Sequence, residues 1–153
     1  MKFVVLMLLA VLTLPAADAI AFSHKQHARL KLDCKYCHVT ATSGERASYP
    51  TASTCMTCHV QVAKGQPEVR KLAALPKETP IEPENSVYML ADFAYFSHAR
   101  HFTAKINCQK CHGQIYDMAA VEQVLPMTMK ACVTCHRETH ATTACNKCHE
   151  LGQ

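Results

Sequence analysis

A mainly α and irregular fold, with short helices and little sheet, is predicted by three features of this sequence. All ten cysteines sit in five copies of Cys-x-x-Cys-His. Residues 20–153 supply only about 27 residues per copy, fewer than the roughly 40 below which a chain seldom builds a stable core without staples. Period-two alternation of apolar and polar residues is scarce, so strand signals are weak. Short helices at the motifs, joined by irregular chain and organised by bound groups rather than by apolar side chains, satisfy all three.

The copies are Cys34-Lys35-Tyr36-Cys37-His38, Cys55-Met56-Thr57-Cys58-His59, Cys108-Gln109-Lys110-Cys111-His112, Cys132-Val133-Thr134-Cys135-His136 and Cys145-Asn146-Lys147-Cys148-His149. This spacing is the attachment signature of c-type haem. The two thiols form thioethers with the porphyrin vinyl groups, and the histidine that follows is set beneath the iron as an axial ligand. Five copies therefore predict five covalently bound haem c groups and a small haem-organised multihaem cytochrome c fold. Structural zinc takes four Cys or His ligands, but nothing in its chemistry requires a histidine after every second cysteine. Iron–sulfur clusters usually draw four thiolates from longer cysteine runs, whereas each pair here stands alone. Disulfides suit an even cysteine count in an exported chain, but do not explain the histidines.

The N-terminus carries Lys2, an apolar run from Phe3 to Leu14, Pro15 and then Ala17-Asp18-Ala19. This is the pattern of a secretory signal, with cleavage expected after Ala19. The run is shorter than the roughly 20 residues that span a bilayer. An uncleaved anchor is the alternative, and no cysteine follows the run to suggest a lipoprotein. Residues 1–19 are read as the signal and 20–153 as one pentahaem domain. Covalent haem attachment on the periplasmic side agrees with a periplasmic location, with membrane association as the alternative.

The domain repeats internally. Phe22-Ser23-His24-Lys25-Gln26-His27 matches Phe96-Ser97-His98-Ala99-Arg100-His101 at an offset of 74, which persists from Cys34 to Cys108. The halves are 22–59 and 96–136, each with one Phe-Ser-His-x-x-His and two haem motifs; 137–153 adds the fifth. Beyond the motif histidines, His24, His27, His98, His101 and His140 remain, one per haem. Two histidines spaced i, i+3 share a face of one helical turn. His24 and His27 are therefore assigned to the first and second irons, His98 and His101 to the third and fourth, and His140 to the fifth. The sequence leaves open an exchange of His101 and His140.

Each motif is expected to begin a short helix. Residues 60–90 hold Pro67, Pro76, Pro80 and Pro83 and read as a connector, with a helix from Glu68 to Leu75 and extended chain over 80–83. A strap joining the halves is preferred to a docking arm. A further helix is expected from Asp117 to Leu125, ended by Pro126. Phe22, Tyr36, Tyr49, Phe93, Tyr95, Phe96, Phe102 and Tyr116 are expected to pack against porphyrin rather than to relay electrons. Met56, Met89, Met118, Met127 and Met129 are read as filling rather than ligands.

Phe-x-His-x-x-His ahead of Cys-x-x-Cys-His resembles the class III multihaem cytochromes, including the cytochrome c7-like group. The order of Asp92 to His101, Cys108 to Gly113, Met118, Met127 to Met129 and Cys132 to Arg137 is similar to the pentahaem subunit of alternative complex III, a bacterial quinol-oxidising assembly. The resemblance implies histidine–histidine ligation and electron transfer. Redox proteins as electron donor and acceptor are the expected partners, with a peripheral place in a membrane complex or self-assembly into a filament as alternatives. The polypeptide's net charge of +4 does not point to nucleic acid, because ten ionised propionates and five irons bring it to about −1 when ferric and −6 when ferrous. Iron held by two histidines has no open position, so no catalytic residue and no enzymatic activity are expected. A haem enzyme would need one site without its second histidine.

Overall fold

The computed structural model describes residues 19–150. The signal reading falls almost wholly outside these residues. Among the described residues, seven short α-helices carry the fold: α1 (His24–His27), α2 (Cys34–Cys37), α3 (Ala52–His59), α4 (Pro67–Ala74), α5 (His98–Thr103), α6 (Gln109–His112) and α7 (Met129–Glu138). Tight 3-10 turns cover Ala28–Leu30, Val39–Thr42, Ile115–Asp117 and Cys145–Lys147. There is no strand among the described residues; Thr51 with Pro80 and Ala94 with His149 form isolated antiparallel bridges. No described helix is long and apolar enough to cross a membrane.

The connector helix begins at Pro67, where a missing N–H costs nothing. It buries Val69 and Leu72 against α3, whose buried residue is Ala52. These three side chains are the apolar core of the described chain. Residues after α4 are tied back to the start of α3 by backbone bonds from Ala52 N to Thr79 O and from Ile81 N to Pro50 O, both 2.9 Å.

The halves interlock. Helix α1 packs on the Ile115–Asp117 turn, which follows the third motif, and α5 packs on the Val39–Thr42 turn, which follows the first. The Tyr116 hydroxyl donates to Leu32 O at 2.8 Å, and the His98 N–H donates to Glu45 O at 3.0 Å.

Two expectations need correction. No helix forms over 117–125. After the turn at Ile115–Asp117, two N–H groups at the far end go to distant acceptors instead of a helical ladder: Leu125 N to Cys111 O (3.3 Å) and Val124 N to the Tyr88 hydroxyl (2.9 Å). Nor does every motif begin a helix. The second and fourth lie toward the C-terminal ends of α3 and α7, and the fifth forms a single 3-10 turn.

Candidate haem-binding sites

Local chemistry builds the same device twice. The Ser23 hydroxyl caps α1 by accepting from Gln26 N at 3.4 Å, and Ser97 caps α5 by accepting from Arg100 N at 3.3 Å. The preceding phenylalanine then sets both imidazoles. Phe22 stacks on His27 at 4.7 Å and meets His24 edge-on at 4.9 Å. Phe96 stacks on His101 at 4.5 Å and meets His98 edge-on at 4.8 Å. Both phenylalanines were expected on porphyrin; their described contacts are with these imidazoles. Asp33 and Asn107, also 74 apart, accept from Lys35 N and Gln109 N at 3.1 and 2.9 Å and so start the first and third motif turns.

Each of these four histidines faces one motif histidine. Ring centroids are 6.4 Å apart for His24 and His38, 6.1 Å for His27 and His59, 6.4 Å for His98 and His112, and 6.0 Å for His101 and His136. His24/His38 and His98/His112 are nearly parallel, at 19° and 12°. A metal–imidazole nitrogen bond is about 2.0 Å. Two imidazoles clasping one iron from opposite sides therefore hold their ring centres roughly 6 Å apart. The four pairs fit that span. Of the two assignments open for the fourth site, the structure brings His101 to His136.

The second ring nitrogen supports the same fit. A carbonyl can only accept, so an imidazole bonded to one through Nδ1 carries its proton there and leaves Nε2 free for a metal. Such bonds run from His27 to Ser23 O (2.9 Å), His38 to Ser48 O (2.7 Å), His59 to Val62 O (3.1 Å), His98 to Glu45 O (2.8 Å), His101 to Ser97 O (2.8 Å), His136 to Thr142 O (2.6 Å) and His149 to Phe93 O (3.2 Å). Each ring pair contains at least one of them. Burial chiefly, and then neighbouring imidazoles, push His24 and His112 below the usual histidine pKa, so both are neutral and able to ligate at pH 7.

The fifth motif is held differently. Tyr95 N donates to Cys148 O at 2.7 Å, Ala94 bridges His149, and the Tyr95 hydroxyl donates to Glu150 at 2.9 Å. The Phe93 ring lies 5.9 Å from that of His149. His140 is exposed, in the left-handed region at φ 55°, at the end of α7. No stacking of its ring on that of His149 is found among the described residues. The ten cysteines are all half-buried or exposed, as attachment to a bulky group requires.

Gly113 follows the third motif at φ 66°, ψ −162°, a conformation open essentially to glycine alone. A Cβ there would approach Val124 Cγ2 to 2.8 Å. Gly113→Ala is expected to cost on the order of 2–3 kcal/mol and to lower the thermal midpoint of the haem-loaded protein by about 5–10 °C. An unchanged midpoint in a melt followed by circular dichroism would refute this.

Comparison with known proteins agrees with the geometry. Residues 26–114 match the family described as Cytochrome c3, and residues 94–150 match that of Cytochrome c7 and related cytochrome c. The chain is also 29% identical over 159 aligned positions to the menaquinone reductase multiheme cytochrome c subunit of Nitratidesulfovibrio vulgaris strain Hildenborough, covering 86% of this chain and 76% of that protein. With more than half its length matched and with imidazoles paired at the spacing of haem iron, the chain belongs to the cytochrome c3 family, the class III multihaem c-type cytochromes that transfer electrons.

Proposed function

We propose that the chain holds five haem c groups and carries electrons between redox partners on the periplasmic side of the membrane. Cys34 and Cys37, Cys55 and Cys58, Cys108 and Cys111, Cys132 and Cys135, and Cys145 and Cys148 make the attachments. His38, His59, His112, His136 and His149 are the proximal ligands, opposed by His24, His27, His98, His101 and, on count alone, His140. The observation that carries this reading is the set of four histidine pairs at 6.0–6.4 Å. Each haem, when bound, supplies a one-electron ferric–ferrous couple. At the four paired sites the residues would clasp the iron from both sides, with at least one ring of each pair fixed by its Nδ1 bond, and leave no position for a substrate. That makes the protein a carrier rather than a catalyst.

A quinone-linked membrane complex is the setting favoured for its partners. The named relative is a subunit of a menaquinone reductase, and the motif order resembles a subunit of a quinol-oxidising assembly. Haem count by mass, with electron paramagnetic resonance of the native ferric protein, tests the reading. Five haems, all low-spin, are expected. A substantial high-spin signal with carbon monoxide binding on reduction would instead give one site a substrate position and favour an enzyme. Native sizing with and without detergent separates a free carrier from a complex subunit or a filament.

A further inference from the structure

We propose that the five sites lie in the spatial order second, first, third, fourth, fifth, so that electrons enter and leave at the second and fifth. The inference rests on the five-haem reading above and adds the path. Chain order alone would make the first site an end; the packing makes it an interior station.

Three junctions are made by direct contacts. His24 and His27 occupy one turn and face His38 and His59, so the first and second sites share a helix. Across that junction the Tyr36 and Thr57 hydroxyls are 3.5 Å apart. His98 and His101 couple the third and fourth sites in the same way. The first and third sites meet through the interlock of the halves. Helix α5, which supplies the third site's distal histidine, sits on the turn after the first motif, with His98 Nδ1 bonded to Glu45 O at 2.8 Å. Helix α1 sits on the turn after the third motif, with the His24 and Tyr116 rings 6.3 Å apart. Equivalent elements exchanged in this manner imply an approximate twofold axis between the halves. Such an axis brings together the first site of each half, which are the first and third sites of the chain. The fourth and fifth junction is set by a short link: eight residues lie between His136 and Cys145, and Thr142 O within that link accepts from His136 Nδ1 at 2.6 Å.

The Cys34 thiol also lies beside that of its repeat mate Cys108, across the junction of the first and third sites.

The test uses the native, fully reduced protein, whose low-spin ferrous irons are diamagnetic. Nuclear Overhauser contacts from cysteine β protons to the thioether groups assign each haem to its motif. Contacts between porphyrin substituents then report which haems adjoin. First-to-third contacts are expected, centred on the thioethers of Cys34 and Cys108, with none between second and third. Five assigned haems with second-to-third contacts, or with no first-to-third contact, would overturn the order while leaving the five-haem reading intact. A haem count below five by mass would instead defeat that underlying reading.

Discussion

Replacing His24 by methionine is expected to raise the potential of the first haem by on the order of a tenth of a volt, a modest part of the roughly 0.8 V that axial ligands can span. A thioether donates less charge to ferric iron than an imidazole does, so the oxidised state loses more stabilisation than the reduced one. The effect should be local. His24 faces His38, whose own ring stays fixed by Ser48 O. Ser23 still caps α1, and Phe22 still stacks on His27. The second site therefore keeps both its ligands. His27→Met is the matched control and should move the second site instead, with an additional loss because His27 gives up its bond to Ser23 O. A spectroelectrochemical titration resolves the outcome. One component displaced upward is expected for each variant. A titration of His24→Met that superimposes on the native curve would show that His24 does not ligate.

How much of this was legible beforehand depended on whether side chains or backbone carried the information. The repeated Phe-Ser-His-x-x-His put two imidazoles on one face of a turn, so the pairs of α1 and α5 could be read from spacing, whereas the serine caps and the phenylalanine contacts with the imidazoles came only from the structure. Residue identity also marked the connector helix, because proline is at home in a first turn. The carbonyls that fix the imidazoles were not legible. Ser48, Glu45, Val62, Thr142 and Phe93 all serve through a backbone oxygen that every residue carries. The failed helix over 117–125 was also hidden, since its composition permits a helix but the Leu125 and Val124 N–H groups go to Cys111 O and the Tyr88 hydroxyl, both far along the chain. Counting histidines matched His140 to the fifth site, but counting has no geometry. The strand-like segment 93–95 that holds His149 lies just before the third site's helix in sequence and gave no sign of serving the fifth.

The haem-free chain is expected to lose nearly all its ordered structure. Ala52, Val69 and Leu72 are its buried apolar side chains among the described residues, at 1%, 9% and 4% exposure. Their burial contributes no more than about 5 kcal/mol, against a backbone entropy cost of roughly 1–2 kcal/mol for every residue ordered. Nor are the helices self-sufficient. The longest among the described residues, α7, has 10 residues, and isolated helices shorter than about 12–15 residues are marginal in water. Phe22, Tyr36, Phe93, Phe96 and Met129 remain exposed beside the motifs; porphyrin faces are the surface able to cover them. A variant with all ten cysteines changed to alanine, produced without haem, should give a coil-like far-ultraviolet spectrum and no cooperative thermal transition. Any residual amide protection should concentrate in α3 and α4, where the small core lies. A sharp, reversible unfolding transition in this variant would show that the polypeptide holds its own fold, and that the porphyrins enter a structure they do not build.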